Sequence, residues 1–211
     1  MNLQKIPPWA AYLSAAAGLG SLIVAFGLIG PRVLMDPARL VELAQRNPMP
    51  LLLQDTMKFI SGILALVLIA ALYRSLHPVA PKRSLLAAVC GLGSVLALLA
   101  NASLSLFATT QAKSLAQGEQ FNALIALLGM LSIFLNGPWY SLNGWAALNG
   151  CTWPRPLAYL GIGMGLLSLL PFLGIFVLLL SLIWLPWLGR VLQKEDALLD
   201  GGEPATGDRQ A

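Results

Sequence analysis

The stretch Asn136-Gly-Pro-Trp-Tyr-Ser-Leu-Asn-Gly-Trp-Ala-Ala-Leu-Asn149 combines amides, aromatic rings and a Gly-Pro pair within sequence typical of a membrane helix. It follows the largely apolar run 123–135, so the helix predicted there continues into it. Pro138 has no N–H, so the carbonyl group of Phe134 loses its helical partner. Hydrocarbon cannot hydrogen-bond to amides or to a freed carbonyl group. The sequence therefore predicts that other helices, or a water-filled cavity, surround this segment.

The composition indicates a membrane protein. Of the 211 residues, 57% are hydrophobic and only 10% are charged, whereas soluble domains carry about 25% charged residues. The net charge is +4, and the basic residues lie in predicted loops and at helix ends. That distribution is typical of orientation in a membrane and not of nucleic-acid binding. The sequence therefore predicts an all-α, polytopic transmembrane helix bundle without a nucleic-acid partner.

Six spans are predicted, with five as the alternative. The first four cover residues 9–29, 57–76, 84–107 and 121–149. The remaining apolar stretch, 158–192, is too long for one span of about 20 residues and short for two, and we favour two. Residues 1–194 are predicted to form the bundle, and residues 195–211, which are acidic and rich in glycine, a disordered cytoplasmic tail.

The first outer loop, from Pro31 to Lys58, is predicted to contain a short amphipathic helix at the membrane interface. Asp36 followed by Pro37 is typical of a helix N-cap with proline at the first helical position. Apolar and charged residues then alternate from 39 to 46, as expected of a helix lying at a membrane surface. Two roles stay open for it: a lid packed on the bundle, or a gate for a substrate.

The distribution of lysine and arginine predicts the orientation. The loop after the second span contains Lys82 and Arg83, follows Arg74 and contains no acid, which predicts a cytoplasmic location. Six spans with the N-terminus inside and five with the N-terminus outside both leave the C-terminus in the cytoplasm. The chain is therefore expected to be a multi-pass protein with a cytoplasmic C-terminus.

Five side chains are the candidate ligand-binding residues. Four of them fall within an arc of about 100° on the fourth helix: Asn136, Trp139, Tyr140 and Asn143. The fifth, Asn101, lies on the small-residue face of the third span. Two interpretations stay open: a packing lock in which the amides satisfy the interrupted backbone, or a pocket for a small molecule or lipid.

The sequence lacks the motifs of enzymes and metal sites. It contains no Cys-x-x-Cys pair and no Cys/His cluster, and His77 is its only histidine, so no metal and no cofactor is predicted. No HExxH, P-loop or serine–histidine arrangement indicates hydrolysis. No charged residue falls in the middle of a predicted span, which argues against a proton-coupled pump. The chain is therefore predicted not to be an enzyme.

The order of features is similar to that of an uncharacterised bacterial family of small six-span integral membrane proteins, described as a domain of unknown function. The similarity rests on Leu72-Tyr73-Arg74-Ser-Leu-His-Pro78 at the end of the second span. It rests also on Pro154-Arg-Pro-Leu-Ala-Tyr-Leu-Gly161 at the start of the fifth. The resemblance implies six helices in the bacterial cytoplasmic (inner) membrane and supplies no activity.

Two functions from different classes are carried forward. The first is a non-enzymatic accessory or binding subunit that holds a lipid-like or apolar ligand. Membrane lipids, and a membrane-protein partner or a second copy of the chain, would surround it. The alternative is a carrier of a small neutral solute, which predicts two alternating cavities that meet at Pro138 and an inverted repeat. We find no convincing repeat between the halves of the sequence, which favours the first.

Overall fold

The computed structural model describes residues 8–34, 36–111, 119–170 and 173–200, and this part of the chain is helical with short turns. It contains no strand, which confirms the all-α prediction. Its helices are numbered here in chain order: α1 (Trp9–Ile23, continued by the π-helix Val24–Ile29), α2 (Pro31–Leu34), α3 (Pro37–Arg46), α4 (Met49–Leu76), α5 (Pro81–Thr110), α6 (Glu119–Gly150), α7 (Arg155–Ser168) and α8 (Gly174–Asp200).

Five helices of the described chain are long and apolar enough to cross a membrane: α1 with its π-helical continuation, α4, α5, α6 and α8. Their outward faces carry exposed large apolar side chains, such as Ile23, Leu96 and Ile183, which suits contact with lipid. The helix α7 has only 14 residues, about 21 Å, whereas a hydrocarbon core is about 30 Å thick. The fold is therefore that of a multi-pass membrane protein, and the count of six crossings stays a prediction.

The six helices α1, α4, α5, α6, α7 and α8 form a closed ring in which each packs against the next and α8 returns to α1. Glycine contacts give their directions. Gly18 packs against Leu182, and Gly189 packs against Tyr12, so α1 and α8 run antiparallel. The Ser94 hydroxyl on α5 donates to the carbonyl oxygen of Ser132 on α6, and this bond joins the middle parts of the two helices. The chain therefore enters and leaves the ring at the same end.

The two ends of the ring differ in charge. One end, called the basic end below, holds the start of α1, the turns 77–80 and 151–154, and the α8 segment around Gly189. Its basic side chains are Arg74, Lys82, Arg83, Arg155, Arg190 and Lys194. The other end, called the α3 end, holds α2, α3 and the start of α4. Its charges include Arg32 on α2, which is exposed, and two pairs, Arg39 with Asp36 and Arg46 with Glu42.

Small residues bring α6 and α7 close together. A methyl group at Gly144 would lie 2.5 Å from the carbonyl oxygen of Ala158, and one at Gly137 would lie 2.9 Å from that of Gly165. Gly161 and Gly165 of α7, spaced i, i+4, therefore lie along a seam where the two backbones approach closely. Such seams substitute for the hydrophobic effect, which is absent between helices in lipid.

The helix α3 begins as predicted at the Asp36 cap. The Asp36 carboxylate accepts hydrogen bonds from the backbone N–H groups of Ala38 at 3.0 Å and Arg39 at 3.4 Å. The helix ends at Arg46, before Pro48. The short helix predicted between the first two spans is confirmed at Pro37–Arg46, and α2 precedes it.

The predicted start of the second span is wrong. The helix α4 begins at Met49, not at residue 57, because Pro50 lies in its first turn, where proline is tolerated and pre-organised for a helix. Gln54, Asp55 and Lys58, which resemble loop residues in the sequence, are therefore part of a membrane-length helix. Asp55 and Lys58 lie among the first ten of its 28 residues, and the middle of the helix contains no charged residue.

The last helix also exceeds its predicted bounds. The helix α8 continues past Lys194 to Asp200. The disordered tail predicted from 195 is thus helical at its start, and residues 201–211 lie outside the described residues. So do most of the polar loop between α5 and α6 and the turn residue Pro171 between α7 and α8.

Candidate functional site

A cavity of about 550 Å³ lies inside the ring, and all six ring helices contribute to its wall. Its lining reaches no further toward the basic end than Leu68 on α4, Tyr140 on α6 and Leu185 on α8. The cavity therefore occupies the part of the ring nearer the α3 end. Packed protein interiors contain few voids larger than a water molecule, so a space of this size is the candidate binding site.

An aromatic cluster closes the cavity toward the basic end. The ring centroids of Tyr140 and Trp184 lie 5.2 Å apart at 88°, those of Trp139 and Trp184 lie 6.1 Å apart, and Trp153 packs on the far side at 6.0 Å. Trp184 is fully buried, and its indole N–H donates to the carbonyl oxygen of Leu157 at 3.2 Å. Trp139 and Tyr140 also line the cavity. This cluster, called the aromatic floor below, thus closes the cavity at that end.

Trp184 and Trp187 have the sequence surroundings of an aromatic belt at a membrane surface, but Trp184 is buried in the core. The two residues are three positions apart, so they lie near one face of α8, and both precede Arg190 as belt residues commonly do. Their positions differ because α8 packs against α7, where Gly161 leaves room for the Trp184 ring. That contact depends on the tertiary fold and has no local signal.

Four of the five candidate residues meet at the cavity. Asn136 is half-buried in the wall, and its side chain is hydrogen-bonded to that of Tyr140. Trp139 lies one turn further along α6. Asn101 is buried on α5, where its amide donates to the carbonyl oxygen of Ile125 on α6 at 2.7 Å. The side chains of Asn101, Asn136 and Tyr140 each form a hydrogen bond between or within helices, and all three also line the cavity.

Asn143 is not part of the cavity wall. It is 2% exposed, and its amide donates to the carbonyl oxygen of Trp139 in its own helix at 2.9 Å. This contact fits the packing-lock interpretation for Asn143: the amide adds a bond to the backbone turn that follows Pro138. The helix α6 continues through Pro138 from Glu119 to Gly150.

A charged pair at the cavity was missed by the sequence analysis. The Lys58 ammonium group lies 2.8 Å from Oδ1 of Asp55, and the Ser105 hydroxyl donates to Oδ2 of Asp55 at 2.6 Å. The side chain of Asp55 is 4% exposed and that of Lys58 is 32% exposed. Spacing i, i+3 on a helix was the available signal, but Asp55 lay outside the predicted span 57–76 and Lys58 lay at its very start.

Two buried oxygen atoms in the cavity wall lack a hydrogen-bond partner. They are the Ser14 hydroxyl on α1 and the side-chain carbonyl oxygen of Gln54 on α4. The amide nitrogen of Gln54 is used, since it donates to the Ser21 hydroxyl at 2.9 Å. Buried polar atoms almost always have a partner in protein or ordered water. The cavity wall therefore offers polar atoms to an occupant.

Replacing Asn101 with leucine is expected to destabilise the bundle by about 1 kcal/mol, the usual worth of a hydrogen bond between membrane helices. The effect is small because the Ile125 carbonyl group still has its own helical partner. Unfolding of the purified protein in mixed micelles measures it. Asn149→Leu, at an exposed position on α6, is the matched control and should change stability less. Equal effects of the two variants would contradict a bond specific to Asn101.

The described chain contains no group of three or more His, Cys, Asp and Glu side chains that could hold a metal ion. Cys90 and Cys151 are free thiols. Cys90 is half-buried on α5, and Cys151 is exposed in the turn before α7. The chemistry of the cavity is therefore that of hydrogen bonds, one ammonium group and apolar surface.

None of the curated proteins matches the chain, and none of the solved structures does. A family model does match it, over residues 10–189. The match begins in the first turn of α1 and ends in α8 before Arg190, so it covers the whole helix ring and the cavity within it. The chain belongs to the protein family described as domain of unknown function DUF4386.

Proposed function

We propose that this protein is a non-enzymatic binding protein of the bacterial inner membrane that holds one single-chain amphiphile in the ring cavity. The observation that carries the proposal is the cavity itself. Its volume of about 550 Å³ lies within the range of about 300–1,000 Å³ typical of small-molecule sites. One acyl chain with its head group suits this volume, whereas a two-chain phospholipid exceeds it.

The lining of the cavity supports an amphiphile rather than a purely apolar ligand. One region is apolar, with Leu98, Ile133, Val177 and Leu178 in the wall. Another region holds the polar atoms around Lys58 and the two unpartnered oxygens. A ligand with one apolar and one polar part satisfies both regions, whereas a hydrocarbon leaves buried polar atoms without partners.

The proposal places the basic end of the ring in the cytoplasm and gives the chain six crossings, with α7 as the short fifth. Basic residues concentrate at that end, as they do on the cytoplasmic side of membrane proteins. The contact between Gly189 and Tyr12 puts the start of α1 on the same side as the end of α8, which an even number of crossings requires. The cavity then lies toward the outer face of the membrane.

Epitope tags at the two termini are expected to be protected from an added protease in intact spheroplasts and cleaved in inside-out vesicles. Both tags should behave alike, because both ends of the chain leave the ring on the basic side. A tag inserted between α2 and α3 should show the opposite pattern and serves as the control. Opposite accessibility of the two termini would exclude an even number of crossings.

The binding proposal is tested by filling the cavity. Ser61 on α4 lines it, so Ser61→Phe is expected to expel the amphiphile that co-purifies with the wild-type protein. Native mass spectrometry counts the bound molecules. Ile63→Phe is the matched control, because Ile63 lies on the same helix, is 48% exposed and faces outward. Equal occupancy in the wild type and in Ser61→Phe would overturn the proposal.

The alternative function is a carrier of a small neutral solute. One observation favours it: the short helix α7 ends at Ser168, which itself lines the cavity, and carriers often place interrupted helices at their substrate sites. Liposomes containing the protein would then take up the solute, and Asn136→Leu would slow uptake. A binding protein that serves as an accessory subunit predicts no uptake, and it predicts that a membrane-protein partner or a second copy co-purifies.

A further inference from the structure

The Lys58–Asp55 ion pair is oriented so that the ammonium group lies on the cavity side. Lys58 lines the cavity, whereas Asp55 lies behind it between α4 and α5, where the Ser105 hydroxyl binds its second oxygen. Among the described residues that line the cavity, Lys58 is the only one with a charged side chain. An occupant of the cavity therefore meets the ammonium group and not the carboxylate.

The Lys58 ammonium group has donors to spare. It carries three N–H donors, and Asp55 accepts one of them at 2.8 Å. Both Asp55 oxygens are already engaged, one by Lys58 and the other by Ser105. The carboxylate thus holds the ammonium group in place and leaves it free to donate further hydrogen bonds into the cavity.

Neighbouring residues extend this site along one face of α4. Gln54, Lys58 and Ser61 are spaced i, i+4 and i+7, so they lie in one row, and all three line the cavity. The Ser61 hydroxyl supplies another donor, and the unpartnered oxygen of Gln54 accepts a proton-bearing group or water. Ser14 lines the cavity from α1 with its own unpartnered hydroxyl.

We propose that Lys58 binds the acidic oxygen head group of the amphiphile, a carboxylate or a phosphate, and that Asp55 and Ser105 position Lys58 for this role. The inference rests on the proposed function and names the class of its ligand. A hydrogen bond between an ammonium group and an oxyanion is about twice as strong as one between neutral groups. A neutral head group therefore binds less tightly at Lys58, and a cationic one is repelled.

The head group and the chain then occupy different parts of the cavity. Lys58 lies nine residues after the start of α4, about 13.5 Å along its axis, and the aromatic floor lies further toward the basic end. The apolar side chains of the wall, which include Leu98, Ile133 and Val177, accommodate the chain. An anionic group at this depth is costly unless a positive charge lies beside it, and the ammonium group of Lys58, which it would share with Asp55, is that charge.

A competition assay tests the inference on the purified full-length protein in detergent. Four probes of equal chain length compete with a fluorescent single-chain amphiphile: the carboxylate, the monoalkyl phosphate, the alcohol and the trimethylammonium compound. On the wild type, at least one acidic probe should bind about tenfold more tightly than the alcohol, a difference of about 1.4 kcal/mol. The trimethylammonium probe should bind most weakly. The two acidic probes together distinguish a carboxylate ligand from a phosphate ligand.

Lys58→Gln should reduce the preference for the acidic probe over the alcohol to about twofold or less, because the ammonium charge that strengthens the hydrogen bond to an oxyanion is lost. Lys82→Gln, at an exposed lysine of the basic end, is the control and should retain the full preference. Should Lys58→Gln fold poorly, the double variant Asp55→Asn/Lys58→Gln removes both charges, retains the amide hydrogen bonds and carries the same expectation.

The outcomes separate the two proposals. Equal binding of acidic and neutral probes to the wild type overturns the acidic head group and leaves the amphiphile site in place. An acidic preference that survives in the double variant overturns the role of Lys58. Tighter binding of the trimethylammonium probe also overturns the inference. Binding of none of the four probes, or of the fluorescent amphiphile, overturns the proposed function itself.

Discussion

Gly165→Ala is expected to destabilise the ring by about 3 kcal/mol, the upper part of the range for overpacking a close-packed interior. A methyl group at Gly165 would overlap the Ser141 hydroxyl and would lie 2.5 Å from the carbonyl oxygen of Gly137 and 2.8 Å from the Ser141 nitrogen. Two of these obstacles are backbone atoms of α6, which cannot turn aside as a flexible side chain would. The helix α7 must therefore move away from α6.

The matched control is Gly163→Ala, two residues away on α7, where an added methyl group meets nothing within 4 Å. Alanine has the higher helix propensity by about 1 kcal/mol, so this variant should be as stable as the wild type or slightly more so. Unfolding in mixed micelles compares the two variants directly. If Gly165→Ala were as stable as Gly163→Ala, the close contact between α6 and α7 would be wrong.

Asp55→Ala is expected to cost about 3 kcal/mol, the lower end of the range for breaking a buried ion pair. The variant leaves the Lys58 ammonium group without a counter-charge, although the Lys58 side chain is only 32% exposed. The lower end applies because the exposed third of the side chain is accessible from the cavity, where water partly solvates the charge. The Ser105 hydroxyl loses its acceptor in the same step.

Removing both charges should recover most of that loss. Asp55→Ala/Lys58→Met replaces the ion pair with apolar side chains, a change that is often neutral for buried pairs. The free energy of unfolding of the double variant is expected to be close to that of the wild type, and that of Asp55→Ala is expected to be well below both. The same unfolding assay measures all three. A double variant as unstable as Asp55→Ala would show that Asp55 stabilises the ring through contacts other than Lys58.

Features with a local cause could be predicted from the sequence. The first span was predicted at 9–29, and the helical segment covers Trp9–Ile29. The α3 helix begins at the Asp36 cap, and the small residues of α7 form the seam with α6. Apolar length, a capping side chain and the spacing of small residues each act over one or two helical turns. Such signals can be read from the sequence without knowing which helices are neighbours.

The inward faces of the helices could not be predicted in the same way. Lipid is as apolar as leucine, so the outward face of a membrane helix carries the same residues as its inward face, and hydrophobic periodicity distinguishes them poorly. Trp184 and Trp187 illustrate this, because similar sequence surroundings place one in the core and the other at its edge. The position of α8 against α7 decides between them.

The polar part of the site was predicted only where its residues lay inside a predicted span. Asn101 and Asn136 stand out because amides in hydrocarbon need shielding by protein, and both line the cavity. Asn143 attracted the same attention, yet its amide is used within α6. Asp55 and Lys58 were assigned to a loop because Pro48 and Pro50 resemble helix terminators, although Pro50 lies in the first turn of α4.

A structure of the protein determined in lipid nanodiscs tests the amphiphile site most directly. One elongated density is expected inside the ring, with its polar end within hydrogen-bonding distance of Lys58 and its chain against Val177. The density is also expected to end at the aromatic floor formed by Trp139, Tyr140 and Trp184. A ring that held only ordered water, or one whose helices had closed so that Ser61 and Asn136 packed without space between them, would contradict the amphiphile site.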